Sequence, residues 1–191
     1  MRQAMELREQ LTPFAGGTIT SSVTYPASTQ RFPQNLKAVA AMVAAGLPLR
    51  CVALDAPGTY DTHATQANTL QTNLQLAADS LLAFQRDLEA RGLADRVLTL
   101  VWSEFGRRAK ENASDGTDHG AAGLGFVMGT HAAGKMIGEF PGLAQLDERG
   151  NVRATSDYRG LYASLLEQWL QTDATPIIPD AAKFARVTVV R

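Results

Sequence analysis

Between Gln66 and Gly92, the residues Leu70, Leu74, Ala77, Leu81, Phe84 and Leu88 step by fours and threes in alternation. That spacing lays them along one stripe of a helix with 3.6 residues per turn and predicts a long amphipathic helix. "PQNLKAVAAMVAAGLPL" repeats the spacing through Leu36, Ala40, Val43 and Leu47, with Gly46 set to close the helix. "TSDYRGLYASLLEQWLQ" brings Leu161, Leu165 and Trp169 beside Tyr158, Tyr162 and Leu166 on one broad apolar face, with Ser156 or Asp157 available as N-cap. The first dozen residues read as a short charged helix, and the Gly-, Ser-, Thr- and Pro-rich stretch after them as irregular connection.

Period-two or unbroken apolar runs mark the strands. Leu49 to Asp55, "RVLTLVW" and "GLGFVMGT" (Gly123 to Thr130) predict three, and the tail "KFARVTVVR" an edge strand. Strand, long helix, strand in that order calls for a parallel pair with a right-handed crossover. The stretch from Glu104 to Ala122 has no helical periodicity with which to cross the sheet, so the third strand is expected to return antiparallel to the second. The expected architecture is α/β, with a mostly parallel sheet, at least one antiparallel strand and a single domain over residues 1–191.

Composition narrows the classes of function. The 191 residues are 45% hydrophobic and 19% charged, those of a globular chain long enough for one sizeable core. Eighteen basic against nineteen acidic side chains leave a net charge of −1, which excludes the dense basic stripe of a nucleic-acid binder. No run of about 18 apolar residues is present, so no membrane-spanning helix is expected. The N-terminus "MRQAMELREQLTP" lacks the apolar centre of a secretory signal, and localisation stays open. Cys51, the single cysteine, sits in "RCVALDAP" and is expected to be a buried, inert thiol.

Reactive groups collect in the loops that follow the strands, the edge at which open α/β sheets bind ligands. In "DTH", an extended backbone turns Asp61 and His63 to one side and Thr62 to the other, a pairing of carboxylate and imidazole suited to zinc or manganese. The same pair also serves as a turn device or surface pair in many loops. Glu104 follows the largely apolar run Val97–Trp102 with only Ser103 between, so it is either a ligand at the sheet mouth or paired with Arg107 or Arg108. "GTDHG" sets Asp118 and His119 between glycines, where His119 can ligate an ion and Asp118 can ligate or orient it; a turn with a solvated histidine is the alternative. Arg107 is a candidate anion contact. His131 has no acidic neighbour in sequence and reads as structural or exposed.

Five spaced segments, "YDTHATQ", "FQRDLEARGLADRV", "SEFGRR", "GTDHG" and "TSDYRGLYASLLEQWL", resemble in that order the family called domain of unknown function 1501, over roughly residues 25–175. The resemblance implies membership of the alkaline phosphatase-like and sulfatase-like superfamily, a three-layer α/β/α sandwich whose enzymes use divalent metals to hydrolyse phosphate or sulfate esters. By that likeness Asp61 and His63 match the Asp and His of one metal site, Glu104 a strand-end aspartate, and His119 the late metal-binding histidine. Phe105 stands where active members carry a further metal-binding histidine, which implies an incomplete second site. The likeness also implies the C-terminal portion of a longer pattern, lacking the half that supplies the hydroxyl nucleophile and inactive alone. An exposed sheet edge would then be covered by that missing half or by a second subunit. Two readings follow: a metal-binding domain of a hydrolase for small anionic esters, or a non-catalytic binding or scaffold domain that keeps the fold. Members of the family are often exported, which leaves the compartment undecided.

Overall fold

A computed structural model describes residues 2–14 and 19–191. It divides into two compact units, one built from the chain up to Thr62 together with Ala67–Ala94, the other from His63–Gln66 together with Asp95–Arg191.

The first unit is helical. Its helices are α1 (Arg2–Leu11), α2 (Phe32–Ala44) and α3 (Gln66–Ala90), the last with its first residue in the second unit. Pro33 opens α2, where a missing N–H costs nothing. Gly46, at φ +73°, ends it with its N–H donating to the Val43 carbonyl at 3.1 Å. Phe32, Leu36 and Ala40 form the buried face of α2. Along α3 the expected stripe is buried only in its second half: Phe84 and Leu88 are core, whereas Leu74 is 52% exposed. Asn73, buried on α3, donates to the Thr59 carbonyl at 2.8 Å, and its own carbonyl accepts from the Tyr60 hydroxyl at 3.3 Å. The segment leading to Asp61 is therefore anchored on the helix. Deeper in the unit, Asp87 is completely buried and accepts from the Tyr25 hydroxyl at 3.1 Å and from Arg91 Nε at 2.8 Å, while Arg91 also donates to the Thr20 carbonyl at 2.7 Å. Burial, then the Asp87 carboxylate, push the Tyr25 hydroxyl far above the ordinary tyrosine range.

The expected strand over residues 49–55 does not form. Cys51–Ala56 runs without a ladder partner, with Val52 48% exposed, and Cys51 is exposed rather than buried. A parallel strand requires neighbours on its edges and cover on both faces, and this run has neither among the described residues. The parallel pair across α3 is consequently absent too: the named ladders among the described residues are antiparallel.

The second unit carries those ladders. β1 (Thr99–Val101) pairs antiparallel with β4 (Phe126–Met128), Leu100 opposite Val127, as the missing helical periodicity between them led one to expect. The charged stretch between them is itself a hairpin of β2 (Gly106–Glu111) and β3 (Thr117–Gly120), where a plain loop was expected. Its register sets Gly106 opposite Gly120 and Arg107 opposite His119, with an irregularity before Glu111 meets Thr117.

α4 (Tyr158–Gln168) begins at Asp157, whose carboxylate accepts from the Arg159 N–H at 2.9 Å, as an N-cap should. Its most buried residues are not the large apolar ones but Gly160, Ala163 and Ser164. They receive the C-terminal segment. The Ser164 hydroxyl accepts from the Val187 N–H at 2.9 Å, and the Gln168 amide donates to the Val187 carbonyl at 2.8 Å and accepts from the Val189 N–H at 3.0 Å. Side chains of a helix thus satisfy backbone groups that a sheet partner would otherwise bind. The tail contributes a single bridge, Ala132 to Val190, instead of the expected edge strand. A Cβ at position 160 would overlap the Ala185 carbonyl. Gly160→Ala is accordingly expected to destabilise the second unit by about 1–3 kcal/mol in denaturant titration, reversing the gain of about 1 kcal/mol that alanine brings to an open helical position.

Candidate metal centre

The tip of the β2–β3 hairpin, "NASDG", organises the candidate site. Asn112 Oδ1 accepts from the N–H groups of Ser114 at 2.9 Å and Gly116 at 3.1 Å, and its own N–H donates to the Gly116 carbonyl at 2.8 Å. This closes a tight turn with Asp115 in the left-handed region at φ +55°. With Oδ1 committed to the turn, the Asn112 amide nitrogen reaches outward, donating to the His63 carbonyl at 2.9 Å and to Asp118 Oδ1 at 3.3 Å. One asparagine therefore ties the backbone of His63 to the hairpin that carries Asp118 and His119.

Further bonds continue the docking within the second unit. The N–H groups of Thr65 and Gln66, at the start of α3, donate to the Ser114 carbonyl at 2.9 Å and the Asp115 carbonyl at 2.8 Å, so the hairpin tip serves donors that a helix start leaves unsatisfied. The Thr117 hydroxyl bonds Gln66 Oε1 at 3.1 Å. Gly116 permits the closest approach: a Cβ there would overlap the His63 carbonyl.

These restraints bring the two imidazoles together. The rings of His63 and His119 lie 4.9 Å apart between centroids. His63 Nδ1 is 3.5 Å from Asp118 Oδ1, an ion-pair distance a little longer than a hydrogen bond. His119 stacks on Phe105 at 3.7 Å and 13°, which fixes its ring plane. A His63 ring nitrogen lies within 4.8 Å of a His119 ring nitrogen and, two residues back along the chain, within the same distance of an Asp61 carboxylate oxygen. All three residues are exposed, and Thr62 between Asp61 and His63 is turned inward at 5% exposure, the alternation expected of "DTH". The Thr62 hydroxyl is buried with no hydrogen-bond partner among the described residues.

Asp118 is held below the ordinary carboxylate range, first by the Asn112 amide and then by His63 and Arg108. A depressed carboxyl adds stability above its unfolded value and loses it as pH falls through the folded one, so the tie from Asp118 to Asn112 weakens only in acid. Asn112→Ala is expected to raise the Asp118 titration toward the ordinary range in an NMR pH series. The same variant should weaken any divalent ion bound at the imidazoles about 10- to 100-fold, the usual cost of removing an outer partner.

Of the candidate residues, Asp118 and His119 lie on the hairpin, His63 is tied to it through its carbonyl, and Asp61 precedes His63 by two residues in the chain. Glu104 is exposed in the bend before β2 and lies outside the Asp61, His63 and His119 group. Arg107 is half-buried; its guanidinium donates to the Thr117 carbonyl across the hairpin and sits 5.0 Å from the centre of the Phe105 ring. His131 lies 3.7 Å from Asp95 and beside Trp169, away from any acidic sequence neighbour. Asn112 escaped the sequence reading, although an asparagine that bonds the backbone two residues on, here Ser114, is a recognised turn device.

The donor set suits a divalent ion. Bonds of about 2.0–2.2 Å to zinc or a similar ion place neighbouring ligand atoms roughly 3–4 Å apart, close to the separation of up to 4.8 Å between the His63 and His119 ring nitrogens.

No curated protein and no solved structure matches the chain. A family model described as protein of unknown function (DUF1501) matches residues 3–170, a longer span than the five segments alone mark out. The chain that holds this hairpin and its two histidines therefore belongs to the DUF1501 family.

Proposed function

We propose that this chain is the metal-binding portion of a phosphate- or sulfate-ester hydrolase with an alkaline phosphatase-like α/β/α fold. Asp61, His63 and His119 hold one divalent ion, zinc or manganese, and Asp118 orients His63 through Nδ1. The observation that carries the reading is the approach of the two imidazoles and the neighbouring carboxylate on a hairpin whose tip is tied down by Asn112. When bound, the ion supplies a Lewis acid that polarises an oxygen of the anionic ester. Phe105 keeps the His119 ring in plane, and the cation of Arg107, 5.0 Å from the centre of the Phe105 ring, adds a positive field for an anion. Glu104, in the bend before Phe105, is a further carboxylate available to the ion or to the substrate's surroundings.

Isothermal titration tests this directly. One zinc or manganese ion per chain is expected, with inorganic phosphate or sulfate binding only to the loaded protein. A chain that takes up no ion, and whose thermal midpoint does not move with added metal, would instead be a non-catalytic binding or scaffold domain.

A further inference from the structure

His63–Gln66 is a short stretch that groups with the second unit, whereas the chain on either side of it groups with the first. Hydrogen bonds seat it on the hairpin. The N–H groups of Thr65 and Gln66 donate to the Ser114 and Asp115 carbonyls at 2.9 Å and 2.8 Å, and the Asn112 amide donates to the His63 carbonyl at 2.9 Å. These bonds hold an unfavourable backbone. Thr65 lies in the left-handed region at φ +43°, where a β-branched side chain crowds its own backbone and glycine or asparagine is the ordinary occupant. On the other side of His63, the Thr62 hydroxyl is buried with no hydrogen-bond partner among the described residues.

A strained residue persists only while its surroundings outweigh the strain. Little apolar burial contributes here, because His63, Ala64, Thr65, Ser114 and Asp115 are all exposed. Bonds between exposed backbone groups are the kind that open locally. A shared ion changes that balance. His63 rides on the segment and His119 on the hairpin, with their rings 4.9 Å apart. An ion bonded to both imidazoles therefore adds a link that the undocked segment cannot make, and a ligand that favours one state shifts the population toward it.

We infer that His63–Gln66 is an ion-operated latch, partly undocked from the hairpin without a divalent ion and held shut when His63 and His119 share one. Thr65 is the strained element that biases the latch toward opening. Because Gln66 is the first residue of α3, closure also fixes where that helix begins. The inference rests on the reading of His63 and His119 as ligands of one ion.

Amide hydrogen exchange, followed by NMR with and without zinc, tests the latch. In the parent, zinc is expected to slow the Thr65 and Gln66 amides about tenfold more than the Val187 amide, which donates to the Ser164 hydroxyl in the same unit. Thr65→Asn relieves the strain, so both amides should exchange slowly before zinc is added. Zinc should also bind that variant severalfold more tightly, since the competent form is already populated. Gly116→Ala, whose Cβ would overlap the His63 carbonyl, should leave both amides fast and weaken zinc about tenfold. If zinc binds the parent yet slows the two amides no more than Val187, or if Thr65→Asn alters neither exchange nor affinity, the latch is overturned while the ion site stands. Failure of the parent to take up zinc would overturn the ion site and the latch together.

Discussion

Replacing His119 by alanine is expected to lower zinc affinity by more than about 100-fold, the upper end of the loss seen when only an outer partner of a ligand is removed. The reason lies in what the side chain does on the hairpin. Its register opposite Arg107 and its stacking on Phe105 hold the ring at one angle, 4.9 Å from the His63 ring. Without it, an ion keeps one imidazole and one carboxylate, too few protein ligands for a four-coordinate site. Thermal stability provides the readout. Zinc at 100 times its dissociation constant stabilises the intact chain by about 2.7 kcal/mol, and His119→Ala should show almost none of that gain at the same concentration. The variant without zinc should melt close to the parent, because the histidine is exposed and the turn bonds run through Asn112.

The second large effect concerns stability alone. Asp87→Ala is expected to destabilise the first unit by about 3 kcal/mol, toward the lower end of the cost of breaking a buried pair. The carboxylate is wholly buried and joins Tyr25 to Arg91, so its loss strands a buried hydroxyl and a guanidinium that is only partly exposed. Asp87→Asn keeps an acceptor for Tyr25 and should lose clearly less. A urea titration that ranks the two variants in the opposite order would show that the network does not hold Tyr25 in place.

Much of the helical framework was legible in the sequence. Gly46 and Asp157 each carry a local physical cause, a left-handed closing residue and a capping carboxylate, that tertiary context did not override, and the four-three spacing located α3, although only the second half of its stripe is buried. The antiparallel return of β4 was legible for a similar reason, because the stretch between it and β1 has no helix with which to cross a sheet. What failed was long-range pairing. Leu49 to Asp55 has a strand's composition, yet an apolar run becomes a strand only when neighbours bind its edges, and no local signal reports whether they are present. Cys51 was misjudged with it. The tail was misassigned because, beyond one bridge to Ala132, its backbone is bonded by the side chains of Ser164 and Gln168, which a reading based on apolar periodicity passes over. For the site, Asp61, His63, Asp118 and His119 were legible as residue types in turn-rich loops. Their assembly depends on Asn112, a residue without ligand chemistry whose importance lies in the five hydrogen bonds that close one turn and tie down two segments.

The central claim is that His63 and His119 bind the same ion. X-ray absorption at the zinc edge of the loaded protein measures this most directly. Scattering from two imidazoles with nitrogen at about 2.0–2.1 Å, accompanied by a carboxylate oxygen, is expected, with one imidazole lost in each of His63→Ala and His119→Ala. An oxygen-only shell, or a spectrum that neither substitution changes, would contradict it.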